Sequence, residues 1–213
     1  AAVSSRNLVV GYPERTLPEW VRKPFRAGQR WSQTETQRAF HLSASPLRIV
    51  SAGYRAGKTR GLVTEAVFLA LENLSCVVVV VSPTYPLSRD IIEPEMDATL
   101  NDLGLIDGKH WTYARQARTY KILGGRRHGG ADIRLRSAEK PKRIVGTTVA
   151  AALLDEPALM AEETFRLVRR RVSDPRATHK AMVLAGTPDP GTWFARMVES
   201  PPREAEVFFA DTR

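Results

Sequence analysis

The run "CVVVVVS", residues 76–82, lies between two stretches of helical composition. A strand with one wet face alternates apolar and polar side chains, and five consecutive valines offer water nothing on either side. Both faces must be covered, which calls for a parallel sheet with helices packed above and below it. The flanking chain agrees. "LRIVSA" (47–52) reads as a short strand, and "GKTRGLVTEAVFLALEN" (57–73) as a helix with Leu62, Val63, Ala66, Leu69 and Ala70 on one face. "PLSRDIIEPEMDATLNDLGL" (86–105) reads as a second helix, broken or kinked at Pro94. Residues 111–136, with "YKILGG", a turn rich in Gly and Arg, and "ADIRLRS", predict an antiparallel hairpin. "TVAAALL", "AEETFRLVRRRV" and "KAMVLAG" then restore the order strand, helix, strand, and "AEVFFA" (205–210) offers one more strand. Ahead of all this, a helix near Thr34–Ser43 carries a cap at Ser32 or Thr34. Residues 1–30, rich in Pro, Gly and Arg, read as an arm or linker leading to one domain over 31–213. The alternation predicts an α/β fold of three layers around a mainly parallel sheet, with an antiparallel hairpin added to it.

Thirty-two Lys and Arg against 23 Asp and Glu leave a formal charge of +9. That balance suits a polyanion such as nucleic acid, although a solvated basic surface gives the same count. The single cysteine, Cys76, excludes an internal disulfide and a thiolate zinc site, and its place at the head of an apolar run predicts a buried core residue. His41, His110, His128 and His179 are too dispersed to suggest a metal site, and Trp20, Trp31, Trp111 and Trp193 read as packing residues. No apolar run approaches the ~20 residues of a membrane-spanning helix and no signal-peptide pattern leads the chain, so a cytoplasmic protein with no membrane association is expected. The chain opens on Ala1 and stops at Arg213 without a tail, as a trimmed piece of a longer protein would.

The chemistry begins at "IVSAGYRAGKTRG", residues 49–61. A phosphate-binding loop needs glycines that let backbone N–H groups turn onto phosphates, a Lys that reaches the terminal phosphates, and a Ser or Thr hydroxyl for Mg²⁺. Gly57, Lys58 and Thr59 supply these between a strand and a helix, where the helix N-terminus favours anions. The first glycine stands at Gly53, one place later than in GxxxxGK[ST], and an accidental Gly-Lys-Thr at a helix start is the competing reading. Downstream, "VAAALLDEPALM" (149–160) ends a strand in two carboxylates. Asp155 suits a magnesium ion held through water and Glu156 suits a residue that orients and activates the attacking water; a bare Asp-Glu pair is also a common helix start. A third strand, in "MVLAGTPDP", ends at Gly186, Thr187 and Pro188, where Thr187 could sense the γ-phosphate and "GTP" is equally a good turn. In this order on three strands, the motifs are far more specific together than singly.

Over most of residues 33–200 the chain resembles the ATPase domain of the large terminase subunit, the motor that packages DNA into the capsids of tailed phages and related viruses. The deviant loop with its late Gly53 carries the resemblance, as do "SPTYPLSRDIIEPEMDATLNDLGL", "RLRSAEKPKRIVGTTVAAALLDEPALM" leading into the Walker B carboxylates, and "LAGTPDPGTWF", similar to the motif that couples hydrolysis to movement. The resemblance implies a P-loop NTPase of the ASCE type, with loop 53–59 as Walker A. It implies ATP bound by Gln37 at adenine, sixteen residues before Gly53, and by Gly53, Tyr54, Arg55, Ala56, Gly57, Lys58, Thr59 and Thr187. Mg²⁺ would be held by Thr59 and Asp155, and catalysis carried by Glu156, Lys58, Arg55 and Arg143. Here the chain also departs from the family. Tyr54 stands where terminases carry an Arg directly after the first loop glycine, with Arg55 following. Val145, before Gly146, stands where many members have the arginine finger given to a neighbouring subunit, which leaves Arg143 as the nearest substitute. A weak isolated subunit and activity on assembly are therefore expected. The partners implied are double-stranded DNA, the capsid portal protein, the small terminase subunit and further copies in a ring, a pentamer by family resemblance, within the host cell cytoplasm. The family's nuclease domain has no counterpart among residues 1–213, so ATP hydrolysis without DNA cleavage is expected.

Candidate DNA contacts are Arg126, Arg127 and His128 at the hairpin turn, Arg134 and Arg136 on one face of the next strand, and Lys140 to Arg143, which includes Lys142. Arg169 to Arg171 read better as solvated charge. A packaging motor slides along any sequence, so phosphate contacts and salt-sensitive, sequence-indifferent binding are expected. Two other functions compete: a helicase-like translocase of the same ATPase class, and a non-enzymatic basic module that docks on DNA or the portal.

Overall fold

The computed structural model describes residues 34–53, 55–124, 129–141, 144, 146 and 148–210, in which eight strands form one mixed sheet. In chain order the elements are α1 (Glu35–Leu42), β1 (Leu47–Ala52), α2 (Lys58–Glu72), β2 (Val77–Ser82), α3 (Glu93–Asp102), β3 (Trp111–Ala114), β4 (Thr119–Ile122), β5 (Ala131–Ser137), β6 (Ala151–Asp155), α4 (Glu162–Arg169), β7 (Ala181–Gly186), α5 (Trp193–Glu199) and β8 (Ala205–Ala210). Across the sheet the strands lie in the order β3-β4-β5-β2-β6-β7-β1-β8. β5, β2, β6, β7, β1 and β8 are parallel, and β3 and β4 add an antiparallel edge.

The valine run explains the layering. All six residues of β2 are buried, and because side chains alternate across a strand, the valines divide between two cores. Val78 and Val80 join Leu62, Val67 and Leu71 of α2 and Met96 and Leu100 of α3. Val77, Val79 and Val81 join Phe165 and Val168 of α4 and Trp193 and Phe194 of α5. Each such side chain removed from water contributes about 1.5–3 kcal/mol, so the strand is stable only where helices cover both faces. Cys76, just ahead of β2, is buried as its neighbours required, and Trp111 and Trp193 are core residues.

Three local readings need correction. α2 is buried nearly all round from Gly61 to Leu71 rather than along one face, because it lies centrally on the sheet and is itself flanked by α3; Arg60 fastens the two helices through Glu95 and Asp102 of α3, at 2.9 and 2.5 Å. The helix expected over 86–105 runs without interruption from Tyr85 to Asp102, with a π-helical turn at Ser88–Ile92 directly ahead of Pro94, where a break or kink is expected. Proline has no N–H to give the preceding turn, and a π turn is one way a helix accommodates the loss of that bond. The hairpin of β4 and β5 forms as expected but carries β3 on its outer side, and α5 follows a segment that reads as turn. At the start, Thr34 caps α1 in a capping box with Gln37. The arm over 1–30 and Ser32 lie outside the described residues. Among the described residues no helix is long and apolar enough to cross a membrane.

Candidate nucleotide-binding site

In a parallel sheet the strands all end on one rim, and loops leaving that rim meet above it. β1 ends in the loop 53–57, β6 ends in Asp155, and β7 lies between them. The strand between the loop strand and the carboxylate strand thus brings Thr187 to a position between Lys58 and Glu156. The Lys58 ammonium, buried at the start of α2, donates to the carbonyls of Ala52 (3.2 Å) and Gly53 (2.9 Å) and to Thr187 Oγ1 (2.9 Å). It stands 3.3 Å from Glu156 Oε1. Thr187 Oγ1 in turn donates to the Ala52 carbonyl at 3.1 Å. Gly57 caps α2 in the left-handed conformation at φ 72°, and a Cβ there would come within 2.9 Å of the Gln37 amide, so only glycine fits the turn.

Glu156 is held in place by its backbone as much as by its charge. It leaves β6 at φ 48°, ψ 59°, a strained conformation for a residue with a Cβ. Its N–H donates to the Ala185 carbonyl at 2.8 Å, and its Oε2 accepts from the Thr187 N–H at 3.1 Å. Pro157 then starts a 3₁₀ turn and ends any continuation of the strand. The fit is close: a Cβ on Gly186 would stand 2.7 Å from Pro157 Cδ and 3.2 Å from Glu156 Oε2. Sequence reading passes over Gly186 as a plain turn residue; its signal lies only in this approach of two strand ends.

Asp155 is 4% exposed, and Thr59 Oγ1 donates to its Oδ1 at a long 3.4 Å. Burial first, and the neighbouring Glu156 second, push its carboxyl up to about 7. A buried anion beside another anion, facing a hydroxyl, fits a divalent cation that prefers hard oxygen ligands. The shift also bears on stability. With a folded pKa above the ordinary 3.8, this carboxyl favours the fold most at low pH and loses its contribution as pH rises toward 7. Asp155→Asn is neutral throughout, so in metal-free buffer it should raise Tm by about 5 °C at pH 8. The gain should shrink by more than half at pH 5. Thermal melts at both pH values check this, and an equal gain at both would show that charge is not the cause.

The remaining predicted residues divide in three. Gln37 reaches the loop, its Nε2 donating to the Gly57 carbonyl at 3.1 Å and its Oε1 accepting from the Thr34 N–H at 3.0 Å. It lines a small cavity with Thr36, Phe40, Gly61 and Ala210, a wall that sequence reading misses because Ala210 arrives from the far end of the chain. Arg55 is exposed on the loop at φ 62°, with Ala56 half-buried after it. Arg134 and Arg136 point away from the buried Ile133 and Leu135 as alternation required, with Arg134 paired to Asp132 at 3.1 Å. Lys140 is exposed, and Arg169 pairs with Glu204 at 2.5 Å. Tyr54, Arg126, Arg127, His128, Lys142, Arg143 and Val145 lie outside the described residues.

A sheet with one strand interposed between the phosphate-loop strand and the carboxylate strand, and a buried lysine linking all three strand ends, defines the ATPase class of P-loop proteins. Within that class the family model for the terminase large subunit, T4likevirus-type, N-terminal, matches residues 49–207. The chain belongs to this family. Its fold is similar to the large terminase ATPase domain of Thermus phage P74-26, with a TM-score of 0.70, 16% identity, and 91% of this chain and 85% of that one covered. It is also similar to the large terminase of a thermophilic bacteriophage solved with nucleotide. The complex of that terminase with ADP has a TM-score of 0.68 at 19% identity, covering 84% of this chain and 45% of that one. Its complex with ATP-γ-S has a TM-score of 0.62 at 19% identity, covering 92% and 44%. The chain thus spans somewhat under half of that nucleotide-bound relative. No curated protein matches it.

Proposed function

We propose that this chain hydrolyses magnesium-ATP and uses the cycle to drive double-stranded DNA into a viral procapsid. The observation that carries the reading is the convergence of Lys58, Thr187 and Glu156 from three strand ends, with no contact among them longer than 3.3 Å. The ADP and ATP-γ-S complexes of the thermophilic-phage relative support nucleotide as the ligand.

The residues divide the work as follows. Backbone N–H groups of loop 53–59 and the start of α2 take the phosphates, and Lys58 exchanges its loop carbonyls for phosphate oxygens. Gln37 takes adenine. Thr59 and Asp155 would hold Mg²⁺, which when bound neutralises charge on the terminal phosphates. Glu156, kept in place by the Thr187 N–H, orients the attacking water and accepts its proton. Thr187, which contacts both Lys58 and Glu156, passes the presence of the γ-phosphate to β7 and onward. Arg55 is placed on the loop for the γ-phosphate, and Arg143 is the finger offered to the next subunit. Copies assemble as a ring on the portal with the small terminase subunit in the host cytoplasm. Arg126, Arg127, Arg134, Arg136, Lys140 and Lys142 face the DNA backbone.

Magnesium-dependent ATP hydrolysis, measured over a range of protein concentrations, tests this. The rate per subunit should rise with concentration, and Lys58→Ala should weaken ATP binding by at least about tenfold, the loss of a charged hydrogen bond. A chain that binds no nucleotide under any condition would replace the motor with a basic docking module.

A further inference from the structure

A second cavity opens on the same rim of the sheet, two strands from the carboxylates. It has a volume of about 520 Å³ and is lined by Tyr85, Gln116, Ala117, Arg118, Leu135 and Arg136. β5 is parallel to β2 and pairs Arg136 with Val81 and Ser137 with Ser82, so this end of β5 stands on the side of the sheet where β1 and β6 end. With strands ~4.8 Å apart, the cavity is roughly 10 Å from β6.

Three observations converge there. Arg118 closes the β3–β4 turn at φ 48°, a left-handed position that glycine or asparagine would occupy without strain. The chain retains an arginine there, with its guanidinium 4.6 Å over the Tyr85 ring. Its Nη1 is buried, and no described residue accepts a hydrogen bond from it. Arg136 is half-buried in the same wall, spending its Nη1 on the carbonyls of Leu135 (2.7 Å) and Ala117 (3.3 Å). Among the described residues no carboxylate is paired with either arginine, whereas Arg60, Arg134, Arg169 and Arg176 each have one. Two guanidiniums lining an open cavity without a carboxylate call for an oxyanion of fork-matching geometry.

We infer that the Tyr85–Arg118–Arg136 cavity is a phosphate-binding site separate from the nucleotide loop. The phosphate comes either from a DNA backbone or from a free phosphate-bearing molecule. Only the first source rests on the packaging function proposed above, and the test keeps the two apart. In one arm, inorganic phosphate is titrated into the protein while arginine Nε–H resonances are followed. Arg118 and Arg136 should shift saturably at millimolar phosphate, and Arg118→Gln should weaken that binding at least fivefold with Tm and basal ATPase unchanged. In the other arm, binding of a mixed-sequence duplex is followed by anisotropy across salt concentrations. Arg118→Gln should weaken it about fivefold and reduce the slope of log affinity against log salt by about 0.9, the share of one phosphate. Arg115→Gln, an exposed arginine of the same turn outside the cavity wall, should do much less.

Saturable phosphate shifts with an altered DNA slope support the site and assign it to the DNA backbone. The same shifts with an unaltered slope, or with a wild type that binds no DNA, support the site and assign it to a free phosphate. The absence of saturable shifts overturns the proposal and leaves the ATPase reading untouched. Equal losses from Arg115→Gln and Arg118→Gln also overturn it, since net charge alone would then account for both.

Discussion

Glu156→Gln is expected to bind ATP as the wild type does, with Kd changed by no more than about threefold, and to lose turnover by about 10²- to 10⁴-fold, the usual contribution of a positioned general base. The amide keeps an oxygen for the Thr187 N–H, which Glu156 Oε2 accepts at 3.1 Å, so the geometry survives while the ability to take a proton is lost. Lys58 is likewise secure: it retains two loop carbonyls and the Thr187 hydroxyl at 3.2 Å or less when its contact with Glu156 is weakened. A split between kcat and Kd is therefore the signature to seek. Single-turnover hydrolysis and equilibrium binding of ATP measure the two separately. Turnover within tenfold of wild type would transfer the base to another group.

The largest stability effect should come from a place with no part in the chemistry. Arg48, on β1, is 0% exposed, as is Glu65 on α2. Glu65 meets Arg48 Nη1 through Oε1 at 2.7 Å and His41 Nδ1 of α1 through Oε2 at 2.7 Å. The Arg48 guanidinium also stands 5.3 Å over the Phe40 ring. Glu65→Ala strands a buried cation, and loss of one partner of such a pair costs about 3–5 kcal/mol, or roughly 10 °C in Tm for a domain of this size. The double variant Arg48→Met, Glu65→Leu removes both charges and should recover much of that loss, since well-packed apolar replacements of a buried pair are often neutral. Urea unfolding of the two single variants and the double gives the coupling directly. A Glu65→Ala cost below about 1 kcal/mol would mean that water reaches Arg48, contrary to its burial.

These two predictions also separate what sequence pattern can and cannot reveal. The valine run, the Gly-Lys-Thr at a strand–helix junction and the Asp-Glu at a strand end are local. Each states its place within a dozen residues: β2 is buried on both faces, Gly-Lys-Thr stands at the start of α2, and Asp-Glu at the end of β6. Arg48 gives no such signal. In "LRIVSA" it looks like the polar residue of a half-wet strand, and the carboxylate that neutralises it lies seventeen positions along the chain. Gly186 is similar, since its need for a missing Cβ arises only where β6 and β7 end side by side. The strand β3 escapes because only Trp111 of its four residues is buried, so no alternation marks it, and α5 because its Thr192 cap follows a proline-rich turn. The irregular turn ahead of α3 is legible in Pro94, which the π turn at Ser88–Ile92 directly precedes.

Gln37 has one amide group and two tasks for it: its oxygen completes the cap of α1 and its nitrogen ties down the Gly57 carbonyl. A purine drawn to that amide would use its second N–H or the second lone pair of its oxygen, in the orientation that these two bonds fix, so base binding and the order of the first turn of α1 are thermodynamically linked. By reciprocity, whatever steadies that turn from outside shifts affinity for the base by the same factor. A neighbour resting on α1 would thus act as an effector of nucleotide binding without touching the phosphate loop.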